Sequence, residues 1–304
     1  MYREKMPWCS IVQFKGIEKL REKLPGYPGR RLALIPMMAL LVCIAGLAFM
    51  LTMDTVSRIF ADVTVLADIE PILPALGAFI SMSIGILCIR RVWTKREQAK
   101  AALGDLAYQR MLVTGLAGVF LILAVILHAF VSVRSLPPGP PVNELTTFLS
   151  TSILSLLGAP YTLDLAIRIV GGSIFLVLAI MNTGRAVLTF GIDYMAVVYL
   201  YYPEESELQD NEIYSVVRHP AYFGIIIFGV SAILFRLSAY SVLFALIIAI
   251  GLLVHLRIEE GELIERFGDS YSEYMRKVPG LHVKPRDFGT YLRFLVGRTS
   301  TSTD

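Results

Sequence analysis

Four stretches of the chain, 32–53, 71–89, 111–133 and 165–183, carry almost no charged side chain. Two shorter apolar runs, 221–235 and 239–254, are separated only by Arg236-Leu237-Ser238. The first four have roughly the 20 residues that cross about 30 Å of hydrocarbon. The last two read as a tight helical hairpin whose helices continue past the apolar runs at both ends. The pattern predicts an all-α integral membrane protein with about six transmembrane helices, a C-terminal helical hairpin and a cytoplasmic amphipathic helix after it. Composition points the same way: 55% of the residues are hydrophobic, 17% are charged, and the mean hydropathy is +0.63. A soluble domain of this size has no use for so much apolar surface.

Charge refines the topology. Of the 28 Lys and Arg, 24 lie in 1–31, 90–110, 184–218 and 257–304, all on one side of a six-span arrangement. The positive-inside rule then places both termini in the cytoplasm. Arg168, near the outer end of its span, is expected to snorkel. The segment 144–158 follows the proline-rich run Leu136 to Pro141. Counting it as a span would move ten basic residues outside, so an interfacial or re-entrant helix is expected. The basic segment 1–31 spaces Ile11, Phe14, Ile17, Leu20 and Leu24 as a helix lying on an anionic leaflet would. It has no apolar h-region, so no cleavable signal peptide is expected. The expected organisation is thus 1–31 amphipathic, 32–160 an N-terminal membrane region, 161–290 a C-terminal core and 291–304 a tail. Cys9, Cys43 and Cys88 have no metal or disulfide spacing. Neither a metal nor a nucleic-acid partner is expected. His128 reads as a hydrogen-bonded structural histidine.

Candidate chemistry gathers in the last 120 residues. Ionisable and aromatic side chains cluster there, from Arg185, Asp193 and the tyrosines of 194–202 (which read as an aromatic belt) to Glu260. Ionisable groups at membrane depth mark sites by default. In SVVRHPAYFG, Pro220 suits the first turn of a helix, with His219 as its cap and Arg218 beside it. Such a helix start favours anions. Gly224, one turn in, admits a close approach to the backbone, and Tyr222 offers an aromatic face. Beyond the hairpin, Glu259, Leu263, Phe267 and Tyr271 recur every four residues and share a helix face. The short hairpin connection should bring Arg218-His219 beside Glu259-Glu260. A cation and an anion beneath aromatic rings suit a zwitterionic ligand that carries a ring.

RHPAYFG followed by EEGELIERFGDSYSEYMRKVPG resembles the isoprenylcysteine carboxyl methyltransferase family and its phospholipid-methyltransferase relatives, over roughly 165–290. The matching positions are Arg218, His219, Pro220, Tyr222 and Gly224, then Glu259, Glu260, Leu263, Phe267, Gly268, Tyr271, Tyr274 and Val278. The resemblance implies S-adenosyl-L-methionine as methyl donor. It would be lined by His219, Pro220, Tyr222 and Gly224, with Arg218 at its carboxylate, Glu259 and Glu260 at its ammonium or ribose, and Tyr214 matching a tyrosine common before the arginine. Two departures concern the acceptor end. Glu212-Ile213 stands where relatives often have Gly-Pro, and His255 where many have arginine. The in-line displacement mainly needs alignment. A carboxylate acceptor needs a positioning cation, for which Arg257 and Arg185 are candidates. A phospholipid amine needs a base, such as His255 or a glutamate. The expected partners are membrane lipids and a lipidic or prenylated acceptor, most readily an isoprenylcysteine-like carboxylate. Phospholipid headgroups, lipid quinones and hydrophobic thiols remain open, as do a sterol-reductase-like enzyme that uses NADPH and a non-catalytic lipid-binding protein.

Overall fold

The computed structural model describes residues 34–104, 106–191, 194–199 and 202–297. The amphipathic reading of 1–31, Asp193, Tyr201 and the end of the tail lie outside these residues. Among them all regular structure is helical. The helices are α1 (Leu34–Ile59), α2 (Thr64–Ile69), α3 (Leu73–Leu103), α4 (Leu106–His128), α5 (Glu144–Ser150), α6 (Ile153–Leu156), α7 (Tyr161–Phe190), α8 (Pro220–Arg236), α9 (Ala239–Phe267), α10 (Asp269–Lys277) and α11 (Phe288–Leu295). Five of them (α1, α3, α4, α7 and α9) are long and apolar enough to cross a bilayer, and α8 is a shorter apolar helix. Leu41, Phe79, Leu87, Val170, Val177 and Ile250 stand exposed on their outward faces. That is the surface of a helical protein embedded in lipid, where no water is available to penalise exposed apolar groups. The segment 144–158 forms two helices of 7 and 4 residues, too short to span.

Helices α1, α3 and α4 pack where small residues let backbones approach, as is usual for membrane helices. A Cβ at Gly118 would meet the Gly85 carbonyl oxygen at 2.7 Å, and one at Gly46 would meet Leu121 at 2.6 Å. Helices α7, α8 and α9 form a second group. There Gly172 admits the Phe235 ring, and Ser231 Oγ donates to the Gly172 carbonyl at 2.8 Å. The groups join through α3 and α9, which run in the same direction: Met82 fills the space at Gly251, and Arg96 meets Glu262 further along.

At the end of the bundle remote from Glu259, polar side chains tie loops to helices. His128 Nε2 and Asp54 Oδ2 lie 2.8 Å apart with both side chains fully buried. Arg58 donates to the carbonyls of Val133, Leu136 and Gly139. Arg168 does not simply snorkel. It donates to the Phe235 carbonyl at 2.8 Å, satisfying an orphan acceptor at the end of α8, and approaches Asp164 at 3.4 Å.

The hairpin is built by local rules. Pro220 opens α8 at its first turn, with His219 as cap. The helix ends where Leu237 takes a left-handed conformation, φ 48°. Ser238 then caps α9, with Ser241 reciprocating in a capping box.

Candidate functional site

The hairpin brings its two ends together. Arg218 Nη2 lies 2.7 Å and His219 Nε2 3.0 Å from the same oxygen, Glu260 Oε1. Arg218 also donates to the carbonyls of Met275 and Val278. The backbone N–H groups of Arg218 and His219 donate to Pro279 and Gly280. The chain beyond α10 is therefore stitched to the start of α8. Tyr271 Oη lies 3.4 Å from His219 Nε2, beneath the cap.

Glu259 differs from its neighbour. It is 8% exposed, Tyr199 Oη donates to one oxygen at 2.9 Å, and Tyr222 Oη donates to the other. Among the described residues no cationic side chain pairs with it, whereas Glu260 pairs with Arg218 and lies within hydrogen-bond distance of His219. Burial, and after it the charge of Glu259, push the Tyr199 phenol well above its ordinary range, so it remains a donor. Tyr199 stands out because the tyrosines of 194–202 read as an interfacial belt in the sequence. Its ring instead lies edge-on to Trp93 and Phe190, with the Arg266 guanidinium 5.0 Å from its centroid.

The aromatic roof is real in geometry. Tyr222 stacks on His219 at 5.7 Å and meets His255 edge-on at 5.8 Å. His255 is buried, and its Nδ1 has no hydrogen-bond partner.

Other candidates sit elsewhere. Arg257 is exposed. Two residues along a helix turn about 200°, so the face that buries His255 and Glu259 turns Arg257 away. Arg185 donates to the Leu295 carbonyl at 3.2 Å and packs against Gly297, beside α11. Tyr214 donates to the Ala186 carbonyl at 3.2 Å, and its own carbonyl accepts from Tyr274. Burial raises its phenol pKa, and its position braces α7 against the hairpin. The Pro220 carbonyl accepts from Asn182 Nδ2, and Tyr291 donates to Asn182 Oδ1 at 2.9 Å.

Gly224 faces α7 as well. A Cβ there would lie 2.2 Å from Thr183 Oγ1 and 2.8 Å from Asn182 Nδ2. The close approach that glycine permits is thus helix packing. Thr183 is β-branched and stiff in a helix, so Gly224→Ala should cost about 1–3 kcal/mol by overpacking. Adding Thr183→Ala should recover most of it. Thermal unfolding in detergent micelles measures both; an unshifted midpoint for the single variant would refute the contact.

The long stripe from Glu259 to Tyr271 is interrupted. Gly268, at φ 58°, ends α9 and starts α10. Leu263 and Tyr271 nevertheless both stay buried.

The chain is thus a helical membrane protein with a buried carboxylate, capped by aromatic rings, where its C-terminal hairpin closes. Residues 169–265 match the model of the isoprenylcysteine carboxyl methyltransferase (ICMT) family. The chain is 33% identical over 89 residues to a methanethiol S-methyltransferase of Crocosphaera subtropica, covering 28% of this chain and 34% of that one. It is 36% identical over 73 residues to a protein-S-isoprenylcysteine O-methyltransferase of Schizosaccharomyces pombe, covering 24% and 31%. A methanethiol S-methyltransferase of Bradyrhizobium diazoefficiens is 38% identical over 67 residues, 22% of each chain. The aligned parts therefore span about a third or less of these relatives. No solved structure matches.

Proposed function

We propose that the protein is an integral membrane methyltransferase that uses S-adenosylmethionine and acts on a hydrophobic acceptor presented from the bilayer. The observation that carries this reading is Glu259: a buried carboxylate held by two phenols and lacking a cationic partner among the described residues. A buried charge without a counter-charge is costly, and a cationic ligand relieves that cost. The donor's ammonium and sulfonium are such cations. Arg218 has a buried Nε without a hydrogen-bond partner, suited to the donor's carboxylate. The stacked rings of His219 and Tyr222 offer aromatic surface to an adenine. On these grounds the residues fit the cofactor. Glu259, Arg218, His219 and Tyr222 would hold it; Glu260 acts by fixing Arg218 and His219. Pro220, Gly224 and Tyr214 position the helices that carry these side chains.

When bound, S-adenosylmethionine supplies a methyl group already activated on a sulfonium. The protein's own work is to align, to exclude water and, for some acceptors, to take a proton. The first reading of the acceptor is the carboxylate of an isoprenylcysteine-like lipid, which is ionised at neutral pH and needs no base. A second reading is a hydrophobic thiol. It is favoured by the outward turn of Arg257 and the engagement of Arg185 with Leu295, which leave neither cation among the residues around Glu259. The names of two relatives support it too. Here the unpartnered Nδ1 of His255 would take the thiol proton.

By the charge count the site faces the cytoplasm. Methyl-labelled donor added to sealed cytoplasmic-side-out vesicles should label a lipid-soluble product. Alkali releases the label as methanol from an ester and leaves it in place on a thioether. Absence of label in every lipid fraction, from protein that retains its fold, would sink the methyltransferase reading.

A further inference from the structure

We propose that Trp93, which α3 brings to the site from outside the family-matched segment, donates its indole N–H to the head group of the methyl acceptor. By that bond it selects heads that have lone pairs to spare. The proposal rests on the methyltransferase reading above.

Trp93 is 8% exposed. Its ring lies edge-on to His255, with centroids 6.3 Å apart, and edge-on to Tyr199 at 6.0 Å. Tyr199 holds one oxygen of Glu259, while Tyr222, which meets His255, holds the other. Trp93 is therefore one side chain removed from the carboxylate at the centre of the site. Its position is fixed from both directions along α3. One turn onward, Arg96 Nη2 pairs with Glu262 at 2.9 Å; about three turns back along the helix, Met82 fills the space at Gly251.

The unexplained atom is Nε1. It is buried and has no hydrogen-bond partner, and the same is true of Nδ1 on the facing His255 ring. Leaving a buried donor unpaired is unfavourable, and a phenylalanine would pack there without that cost. Two unpaired polar atoms on adjacent rings, beside the ligand-binding carboxylate, mark a place where a polar group from outside completes the bonding.

The chemistry of that group follows from the donor. An indole N–H can only donate, so the ligand must offer an acceptor. The arginines nearby are engaged: Arg218 with Glu260, Arg266 with Glu262 and Arg96 with Glu262. The head thus meets a neutral donor. A carboxylate or a thiolate has lone pairs beyond the one that attacks the methyl group, and can accept from Trp93 while reacting. An ammonium has only donors, and a neutral amine has a single lone pair that the reaction itself consumes. Trp93 accordingly favours anionic heads on apolar bodies and disfavours amine headgroups.

The chain contains two tryptophans, Trp8 and Trp93, so Trp8→Phe leaves Trp93 as the only indole reporter. The full-length protein in detergent micelles, with S-adenosylhomocysteine present, is titrated with three probes: N-acetyl-S-farnesylcysteine for the carboxylate, 1-decanethiol for the thiol and 1-decylamine for the amine. The expected result is a saturable change in Trp93 emission with the carboxylate or the thiol, and none with the amine. In methyl-transfer assays Trp93→Phe should raise the KM of the probe that binds about tenfold, the worth of one hydrogen bond to a charged group. Affinity for S-adenosylhomocysteine, measured by calorimetry, should stay within about twofold of the parent. An unchanged KM, a response to the amine alone, or no response to either the carboxylate or the thiol overturns the proposal. If S-adenosylhomocysteine itself fails to bind the parent protein, the methyltransferase reading falls first and this one with it.

Discussion

Replacing Glu259 by glutamine should weaken the binding of S-adenosylhomocysteine or S-adenosylmethionine about 10- to 100-fold, the range of one charge-assisted hydrogen bond. The carboxylate accepts from Tyr199 and Tyr222 and has no cationic partner among the described residues. Its charge is therefore available to a cationic ligand. Glutamine keeps the shape and one acceptor oxygen, so one phenol can still donate to it, and the other can accept from the new amide. The expected loss of stability is about 1 kcal/mol, which separates a binding defect from misfolding. Calorimetry gives the affinity and thermal unfolding gives the stability. Unchanged affinity in a folded variant would remove Glu259 from the cofactor site, and with it the main support for the methyltransferase reading.

Glu260→Ala is expected to act in the opposite way, mainly on the fold. Glu260 Oε1 lies 2.7 Å from Arg218 and 3.0 Å from His219. Removing it strands a guanidinium whose side chain is only 10% exposed. Breaking one partner of a buried pair costs about 3–5 kcal/mol; the lower figure applies here, because Glu260 keeps 19% of its side chain in contact with solvent. The same guanidinium ties Met275 and Val278 to the start of α8, so the segment after α10 should loosen too. Glu260→Met combined with Arg218→Met removes both charges and should lose less than Glu260→Ala alone. A denaturation series in mild detergent compares them. A loss below about 1 kcal/mol for Glu260→Ala would mean that the pair contributes no more than an exposed one.

The two carboxylates thus divide the work. Adjacent in sequence and about 100° apart on α9, they have different surroundings: Glu260 pairs with Arg218 and His219 of the protein itself, whereas Glu259 has two phenols and, among the described residues, no cationic partner. Part of that division was readable beforehand. The spacing of Glu259, Leu263 and Tyr271 marks the buried face, Pro220 marks the start of α8, and the three residues between the apolar runs force the hairpin to close. Together these brought Arg218 and His219 to Glu260. Arg257, a candidate cation in the sequence reading, is turned outward in the fold, two residues from both His255 and Glu259. Nothing local distinguished the partners of Glu259. Tyr199 looks like any interfacial tyrosine, and its role comes from a chain segment 60 residues away.

Apolar run length, the proline at a helix start and helical periodicity are local properties, so residue order alone established the helices, the hairpin and the polar cluster at its closed ends. The choice of neighbours is not local, because it depends on which faces meet once the helices pack. Only the folded chain assigned Gly224 to packing against Thr183, gave Glu259 two phenols and, among the described residues, no cation, and carried Trp93 from just beyond the second apolar run to the side of His255. A 3.6-residue period names the face a side chain occupies, but the side chain opposite it belongs to another helix whose register that period does not contain.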